Sequence, residues 1–257
     1  MRNLTDINIV LDRSGSMNAC RQATIDAFNE FVNGQRVGVG EAVISLFQFD
    51  HEYEPVRHCQ LINVKDAPRL DAYSYLPRGS TALLDAIGRT IDAIGARLSN
   101  TPEYDRPSKV LMVIVTDGQE NASSQYTRSR IFDMIRHQQD RYNWTFVFLG
   151  ANQDSYTEAG HMGFGHHNTM NYAPTSAGMK HISRSLSDST HTLRAAAGGQ
   201  SCNTFFSSED QKIGDQMAGV TAPKNEKDWV AGVKKTIDEV NASNKHSTSR
   251  KTATVSN

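Results

Sequence analysis

Three short segments of the sequence offer oxygen-bearing side chains beside a glycine, and together they could hold a metal ion. They are Asp12-Arg13-Ser14-Gly15-Ser16, Gly79-Ser80-Thr81 and Thr116-Asp117-Gly118. Because Asp12, Ser14 and Ser16 are spaced by two, their side chains project to one side of an extended segment. Carboxylate and hydroxyl oxygens are the ligands that hard cations such as Mg²⁺ prefer, whereas softer metals favour the Cys and His that these segments lack. The residue types therefore predict an all-oxygen site for one divalent cation.

Each of the three segments lies at the end of a predicted strand or at the start of a predicted helix. The run from Val110 to Val115 is apolar at every position, as expected of a central strand covered on both faces. The other runs predicted as strands are Ile7 to Leu11, Ala42 to Phe49, Thr145 to Leu149 and an edge strand from Thr169 to Tyr172. A weaker strand is predicted from Tyr53 to Val64, and the three residues before it are short enough for a hairpin.

Helical periodicity alternates with these strands along the chain. It predicts one helix carrying Cys20 to Val32, one carrying Leu83 to Leu98, a short one around Ile131 to Ile135, a brief one from Asp154 to His161, and one from Thr175 to Ala196. Such alternation predicts a doubly wound α/β fold, with a mainly parallel sheet, helices on both faces and one antiparallel edge hairpin. Ligands of open parallel sheets bind beyond the carboxyl ends of the strands, so we expect the three segments to converge there.

Taken alone, each segment also fits an ordinary turn or a helix N-cap, because Asp, Ser and Thr satisfy free N–H groups there. Taken together, D-x-S-G-S after the first strand, a threonine that opens a helix and T-D-G after a buried strand resemble a known site. It is the metal-ion-dependent adhesion site of von Willebrand factor A domains. The resemblance covers about residues 5–196. The chain is similar to the intracellular members of this family from bacteria and their viruses.

The resemblance implies a role for each of five residues. In that family the two serines and the threonine bind the metal directly, while the aspartates act directly or through water. Carried over, Ser14, Ser16 and Thr81 are direct ligands here. Asp12 and Asp117 lie outside these direct ligands or reach the ion through water. The expected ion is Mg²⁺, with Mn²⁺ or Ca²⁺ as alternatives.

Neutral hydroxyl ligands would leave the ion with much of its charge and one open position. An Asp or Glu of a partner protein could fill that position through a charge-assisted contact. The sequence thus predicts a metal-dependent binding module, not an enzyme. The chief alternative is a Mg²⁺-dependent phosphohydrolase or phosphotransferase similar to haloacid dehalogenases, which also place an Asp after the first strand. Their second carboxylate, the acid/base, is replaced here by Ser14.

Composition limits the partners that the sequence favours. The 257 residues include 27 Lys and Arg against 28 Asp and Glu, and a net charge of -1 gives no reason to expect nucleic acid or an anionic membrane as partner. The start of the chain lacks the apolar stretch of a signal peptide. Three widely spaced cysteines, Cys20, Cys59 and Cys202, argue against a disulfide framework and favour a cytoplasmic protein with reduced thiols.

The end of the chain differs in character from the rest. We predict a domain over residues 1–197 and a linker without periodicity over 198–222. Residues 223–242 are predicted to form an amphipathic helix, which could pack on the domain or dock in a partner's groove. Residues 243–257 are mostly Ser, Thr, Asn, Lys and Arg, too polar to bury a core, so we expect a disordered tail.

Overall fold

A mainly parallel sheet organises the protein. The computed structural model describes residues 1–151, 155–196, 202–220, 227–231 and 234. Within them the strands are β1 (Arg2–Asp12), β2 (Glu41–Phe49), β3 (Tyr53–Pro55), β4 (Ile62–Asn63), β5 (Pro107–Thr116), β6 (Thr145–Ala151) and β7 (Thr169–Tyr172). Their spatial order is β3-β2-β1-β5-β6-β7, and β4 also pairs with β2. Only β3 and β4 run antiparallel to their neighbour, so the predicted fold class is confirmed.

The order of the strands reverses between β1 and β5. From β1 the chain moves outward to β2, and then crosses back over β1 to build β5, β6 and β7 on the other side. Two consecutive crossovers therefore leave in opposite directions from this point, which opens a crevice at the carboxyl ends of β1 and β5. The predicted metal-binding segments follow these two strands.

Helices cover both faces of the sheet, as predicted. They are α1 (Arg21–Arg36), α2 (Leu83–Ser99), α3 (Arg128–Tyr142), α4 (Ser155–His161), α5 (Ser176–Ala195) and α6 (Ser208–Ala218). Side chains of β5 alternate between two apolar cores: Leu111 and Val113 pack with α1 and α5, whereas Met112 and Ile114 pack with α2 and α3. Since β5 is buried on both faces, every one of its core positions is apolar.

Two local predictions differ from the structure. The predicted strand from Tyr53 to Val64 is divided into β3 and β4, which both pair antiparallel with β2. The antiparallel bonding to β2 continues to Val56, whose amide donates to the Leu46 carbonyl at 2.9 Å. Leu61, with φ of 52°, then turns the chain before β4. The helix predicted as short around Ile131 is the full 15-residue α3, whose exposed polar turns conceal its length in a hydrophobic pattern.

The prediction of a linker over 198–222 was wrong for part of that range. Helix α6 lies within it and packs against β7, where Asn171 donates a 2.7 Å hydrogen bond to Asp215. Of the predicted helix over 223–242, residues 227–231 and 234 are described and helical, and the indole of Trp229 donates to the Tyr156 carbonyl at 3.0 Å. This contact favours packing on the domain. The remaining residues of that range and the predicted tail, 243–257, lie outside the described residues.

Candidate metal centre

The carboxyl ends of β1 and β5 lie side by side, which brings two of the predicted segments together. β1 ends at Asp12 and β5 at Thr116, and the parallel register pairs Leu11 with Val115 just before these ends. Asp117 directly follows β5. The third segment reaches the same edge through backbone hydrogen bonds.

The loop that carries Thr81 is tied to the first segment and to the end of β2. The amide of Gly15 donates to the carbonyl of Gly79 at 3.1 Å, and the amide of Ala82 donates to the carbonyl of Asp50 at 2.9 Å. These bonds place Thr81 opposite the residues that follow β1.

Four of the five predicted residues are joined by hydrogen bonds. One carboxylate oxygen of Asp12 accepts from the Ser14 amide at 2.6 Å, and the other accepts from the Thr116 hydroxyl at 2.6 Å. The hydroxyls of Ser14 and Ser16 are 3.1 Å apart, and Ser16 donates to Asp117 at 2.6 Å. The chain of contacts runs from one aspartate to the other through both serines.

Thr81 reaches the same place beside Gly118. A Cβ added to Gly118 would lie 2.9 Å from Thr81 Oγ1 and 3.4 Å from Ser16 Oγ. The missing side chain thus leaves a space bordered by two of the predicted ligand oxygens. With Thr81, all five predicted residues converge at one edge of the sheet.

Burial gives this cluster unusual electrostatics. Asp12 is fully buried and Asp117 nearly so, whereas Ser16 is exposed and opens the cluster to solvent. Burial raises the pKa of Asp12 to about 6, although hydrogen bonds from Thr116 and Ser14 oppose the shift. Burial also raises the pKa of Asp117, against the hydrogen bond from Ser16. The two carboxylates have lost most of their hydration, which makes their negative charge unfavourable. A bound cation would offset this free-energy cost.

The hydroxyl groups of Ser14 and Thr81 are not used as helix caps. Ser14 precedes the 3-10 helix Gly15–Cys20 without a side-chain capping bond, and the N-cap residue of α2 is Ala82. The first amides of α2 are satisfied from the loop after β5 instead, because Leu84 donates to Glu120 at 2.9 Å. The alternative of ordinary N-caps is therefore not supported for these two residues.

The loop after β5 has a positioning role that the sequence did not reveal. Asn121 accepts a hydrogen bond from the Thr81 amide at 2.9 Å, and its own amide donates to the Thr81 carbonyl at 3.1 Å. The two residues are 40 positions apart, so no local pattern predicts the contact. Tyr75, also missed, is buried and donates to the Asp12 carbonyl at 2.6 Å.

A second group of potential ligands lies nearby. Ligand atoms of Asp50, His51 and Glu52 lie within 4.8 Å of one another. Asp50, however, already accepts from the guanidinium groups of Arg13 and Arg78, each at 2.9 Å. Two positive charges on the same carboxylate oppose a cation there.

The match to a family agrees with this geometry. A model of the von Willebrand factor type A domain matches residues 6–185, well over half of the chain. The chain belongs to the von Willebrand factor type A domain family. No curated protein matches it in sequence.

Solved structures that share the A-domain fold include a von Willebrand factor type A protein from Catenulispora acidiphila, which matches at 14% identity and a TM-score of 0.52. This match covers 73% of this chain and 42% of that one. Proximal thread matrix protein 1 from the mussel byssus, with zinc in its metal-ion-dependent adhesion site (MIDAS) motif, matches at 15% identity and a TM-score of 0.50. This match covers 73% of this chain and 46% of that one. The pilus adhesin SpaC from Lactobacillus rhamnosus GG, in its open conformation, matches at 11% identity and a TM-score of 0.52. This match covers 75% of this chain and 30% of that one. The chain thus spans less than half the length of these proteins.

None of the described helices of this A domain has both the length and the apolar character that crossing a bilayer requires.

Proposed function

We propose that this A domain binds a protein partner through one divalent cation held by Asp12, Ser14, Ser16, Thr81 and Asp117. The convergence of these five side chains, predicted from three separate segments, is the observation that carries the proposal. The donor set is entirely oxygen, as Mg²⁺ prefers, with Mn²⁺ and Ca²⁺ as alternatives.

The hydroxyl groups fit the role of direct ligands. Those of Ser14 and Thr81 are free of capping bonds, and Gly118 keeps the space beside Thr81 open. The carboxylates lie behind the hydroxyls: Asp12 is fastened by two hydrogen bonds and Asp117 accepts from Ser16. We therefore assign the three hydroxyls to the ion and the two aspartates to supporting or water-mediated contacts.

The bound ion would supply positive charge at the solvent-facing end of this cluster. Because the direct ligands are neutral, an Asp or Glu of the partner is the group best suited to complete its coordination. Exposure of Ser16 places this end of the cluster at the surface, where a partner can approach. Among proteins with the same fold, SpaC is a pilus adhesin and the mussel protein has a metal-occupied site, which is consistent with binding as the role.

A phosphotransfer role has less support. Asp12 would be the nucleophile, but both of its carboxylate oxygens accept hydrogen bonds and its side chain is fully buried. Ser14 stands where a second carboxylate would act as acid or base. We therefore assign binding and not catalysis to this site.

We also propose a cytoplasmic location, supported by the three free cysteines, two of them buried.

The experiment compares two threonines at opposite ends of α2. Thr81→Ala removes a proposed ligand, while Thr101→Ala removes a hydroxyl just beyond the other end, where it donates to the Arg97 carbonyl at 2.9 Å. Calorimetric titration of chelator-stripped protein with Mg²⁺, Mn²⁺, Ca²⁺ and Zn²⁺ should show one site in the wild type and in Thr101→Ala, but not in Thr81→Ala. At an ion concentration 100 times Kd, the free energy of unfolding of the wild type should rise by about 2.7 kcal/mol.

Partner binding is tested by affinity capture with and without chelator, using the same three proteins. A partner retained only with metal, by wild type and Thr101→Ala but not by Thr81→Ala, would support the metal bridge. Capture that is indifferent to chelator would refute it, and equal ion binding in all three proteins would refute the ligand assignment.

A further inference from the structure

A buried ion-pair cluster joins the two loops that carry the proposed hydroxyl ligands. The carboxylate of Asp50, which follows β2, is fully buried and contacts the guanidinium groups of both Arg13 and Arg78. We infer that Asp50 is a positioning residue, which holds Ser14 and Thr81 in place through these two arginines. This inference rests on the proposed function, since it concerns the same site.

The first contact fixes the loop after β1. Arg13 lies one residue before Ser14, and its side chain is only 10% exposed. Its Nε donates to Asp50 at 2.9 Å, and a second guanidinium nitrogen donates to Glu54 at 2.7 Å. The backbone amide of Arg13 donates to the Phe49 carbonyl at 2.7 Å, so side chain and backbone bind the same end of β2. The segment that presents Ser14 is therefore held against β2.

The second contact fixes the loop before α2. Arg78 lies three residues before Thr81, and its Nε donates to the same Asp50 oxygen at 2.9 Å. Its backbone amide donates to the Arg13 carbonyl at 2.7 Å, which links the two loops directly. On the far side of Thr81, the Ala82 amide donates to the Asp50 carbonyl at 2.9 Å. Asp50 thus holds the Thr81 loop on both sides of the threonine.

The charge on Asp50 is stabilised by several donors at once. Burial acts to raise the pKa of this carboxyl, but the amide of Glu52 and the guanidinium groups of Arg78 and Arg13 outweigh it and hold the pKa below its ordinary value. Without this charge, the two arginines would lose the ion pairs that they share, and both loops would lose their common side-chain anchor. Local motifs do not reveal this role, because Asp50 lies 37 residues from Arg13 and 28 from Arg78.

The test replaces Asp50 and a matched buried aspartate by asparagine. Asp6 is also fully buried in the sheet and pairs with an arginine, Arg97, but it lies six residues before the end of β1, about 20 Å from the site. Asp50→Asn and Asp6→Asn therefore make the same substitution of a buried, arginine-paired aspartate, one near the site and one far from it. A third variant, Arg78→Gln, changes a half-exposed side chain and keeps the test possible if Asp50→Asn does not fold.

Two measurements are made on each variant. In chelator, amide hydrogen exchange at Gly15, Arg78 and Ala82 should become faster in Asp50→Asn, on the order of 10-fold, and remain at the wild-type rate in Asp6→Asn. In a Mn²⁺ titration, Asp50→Asn should bind about 10- to 100-fold more weakly, as is typical when supporting residues of a metal site are changed, and Arg78→Gln should be weakened in the same direction. Asp6→Asn should bind Mn²⁺ like the wild type.

The outcomes separate this inference from the proposed function. Equal weakening in Asp50→Asn and Asp6→Asn would show a general loss of stability and overturn the positioning role, as would unchanged exchange in Asp50→Asn and Arg78→Gln. If the wild type itself binds no Mn²⁺, the proposed function fails, while the exchange rates in chelator still decide whether Asp50 holds the loops.

Discussion

Gly118 separates two hydroxyl groups of the proposed metal site, and one added methyl group tests whether the space between them is needed. In Gly118→Ala the new Cβ would lie 2.9 Å from Thr81 Oγ1 and 3.4 Å from Ser16 Oγ. The first distance is shorter than carbon–oxygen packing tolerates, so the Thr81 hydroxyl must move away. Gly118 does not have a positive φ, and the backbone itself can accept alanine.

The expected loss of affinity follows from that displacement. If Thr81 ceases to be a ligand, the ion loses one contact between a charge and a neutral hydroxyl, worth about 1.5–3 kcal/mol. This corresponds to a Kd for Mg²⁺ that is higher by about 10- to 150-fold. The free energy of unfolding in chelator should fall by about 1–3 kcal/mol, the usual cost of overpacking.

The assay is calorimetric titration with Mg²⁺, and Gly95→Ala is the control. Gly95 lies within α2, and an added Cβ there meets nothing within 4 Å. The same chemical change should therefore leave the Kd for Mg²⁺ unaltered, while it raises the free energy of unfolding by about 0.5–1 kcal/mol through better helix propensity. Wild-type affinity in Gly118→Ala would refute the placement of Thr81 at the ion.

Two further predictions concern stability. Burial raises the pKa of Asp215 despite hydrogen bonds from Asn171 and Tyr156. The protonated carboxyl therefore contributes stability below the unfolded pKa of about 3.9, and this stability is lost as the pH rises through the pKa of the folded state. Asp215→Asn should therefore gain stability relative to the wild type between pH 4 and 7 in urea unfolding, and a difference that does not change with pH would contradict this. Ile182→Ala should lower the free energy of unfolding, measured in urea, by about 2–5 kcal/mol. The reason is that Ile182 is 3% exposed and borders an apolar cavity of about 40 Å³ beneath α5. A loss below about 1 kcal/mol would contradict this, since it would show that the surrounding side chains fill the gap.

Prediction from sequence succeeded where the information is local. Alternating strands and helices are recorded in the spacing of apolar residues, and the all-apolar β5 marked the centre of the sheet. The convergence of the five candidate residues was predictable because each lies within a residue or two of a strand end or helix start, and strand ends of a parallel sheet meet at one edge. Helix α6 was missed because its buried positions include glycine and polar residues, Gly214, Gln211 and Asp215, which produce no apolar period.

The supporting contacts of the site were decided only by the tertiary structure. Asn121 meets Thr81, and Asp50 meets Arg13 and Arg78, across separations of 28 to 40 residues. Asn121, Asp50 and Arg78 are ordinary polar residues of loops in the sequence, since their partners are selected by the order in which the strands pair and not by their neighbours along the chain. The carboxylate of Asp50 and the side chain of Asn121 gain these hydrogen bonds only after β1, β2 and β5 have assembled side by side, and for that reason no local pattern records them.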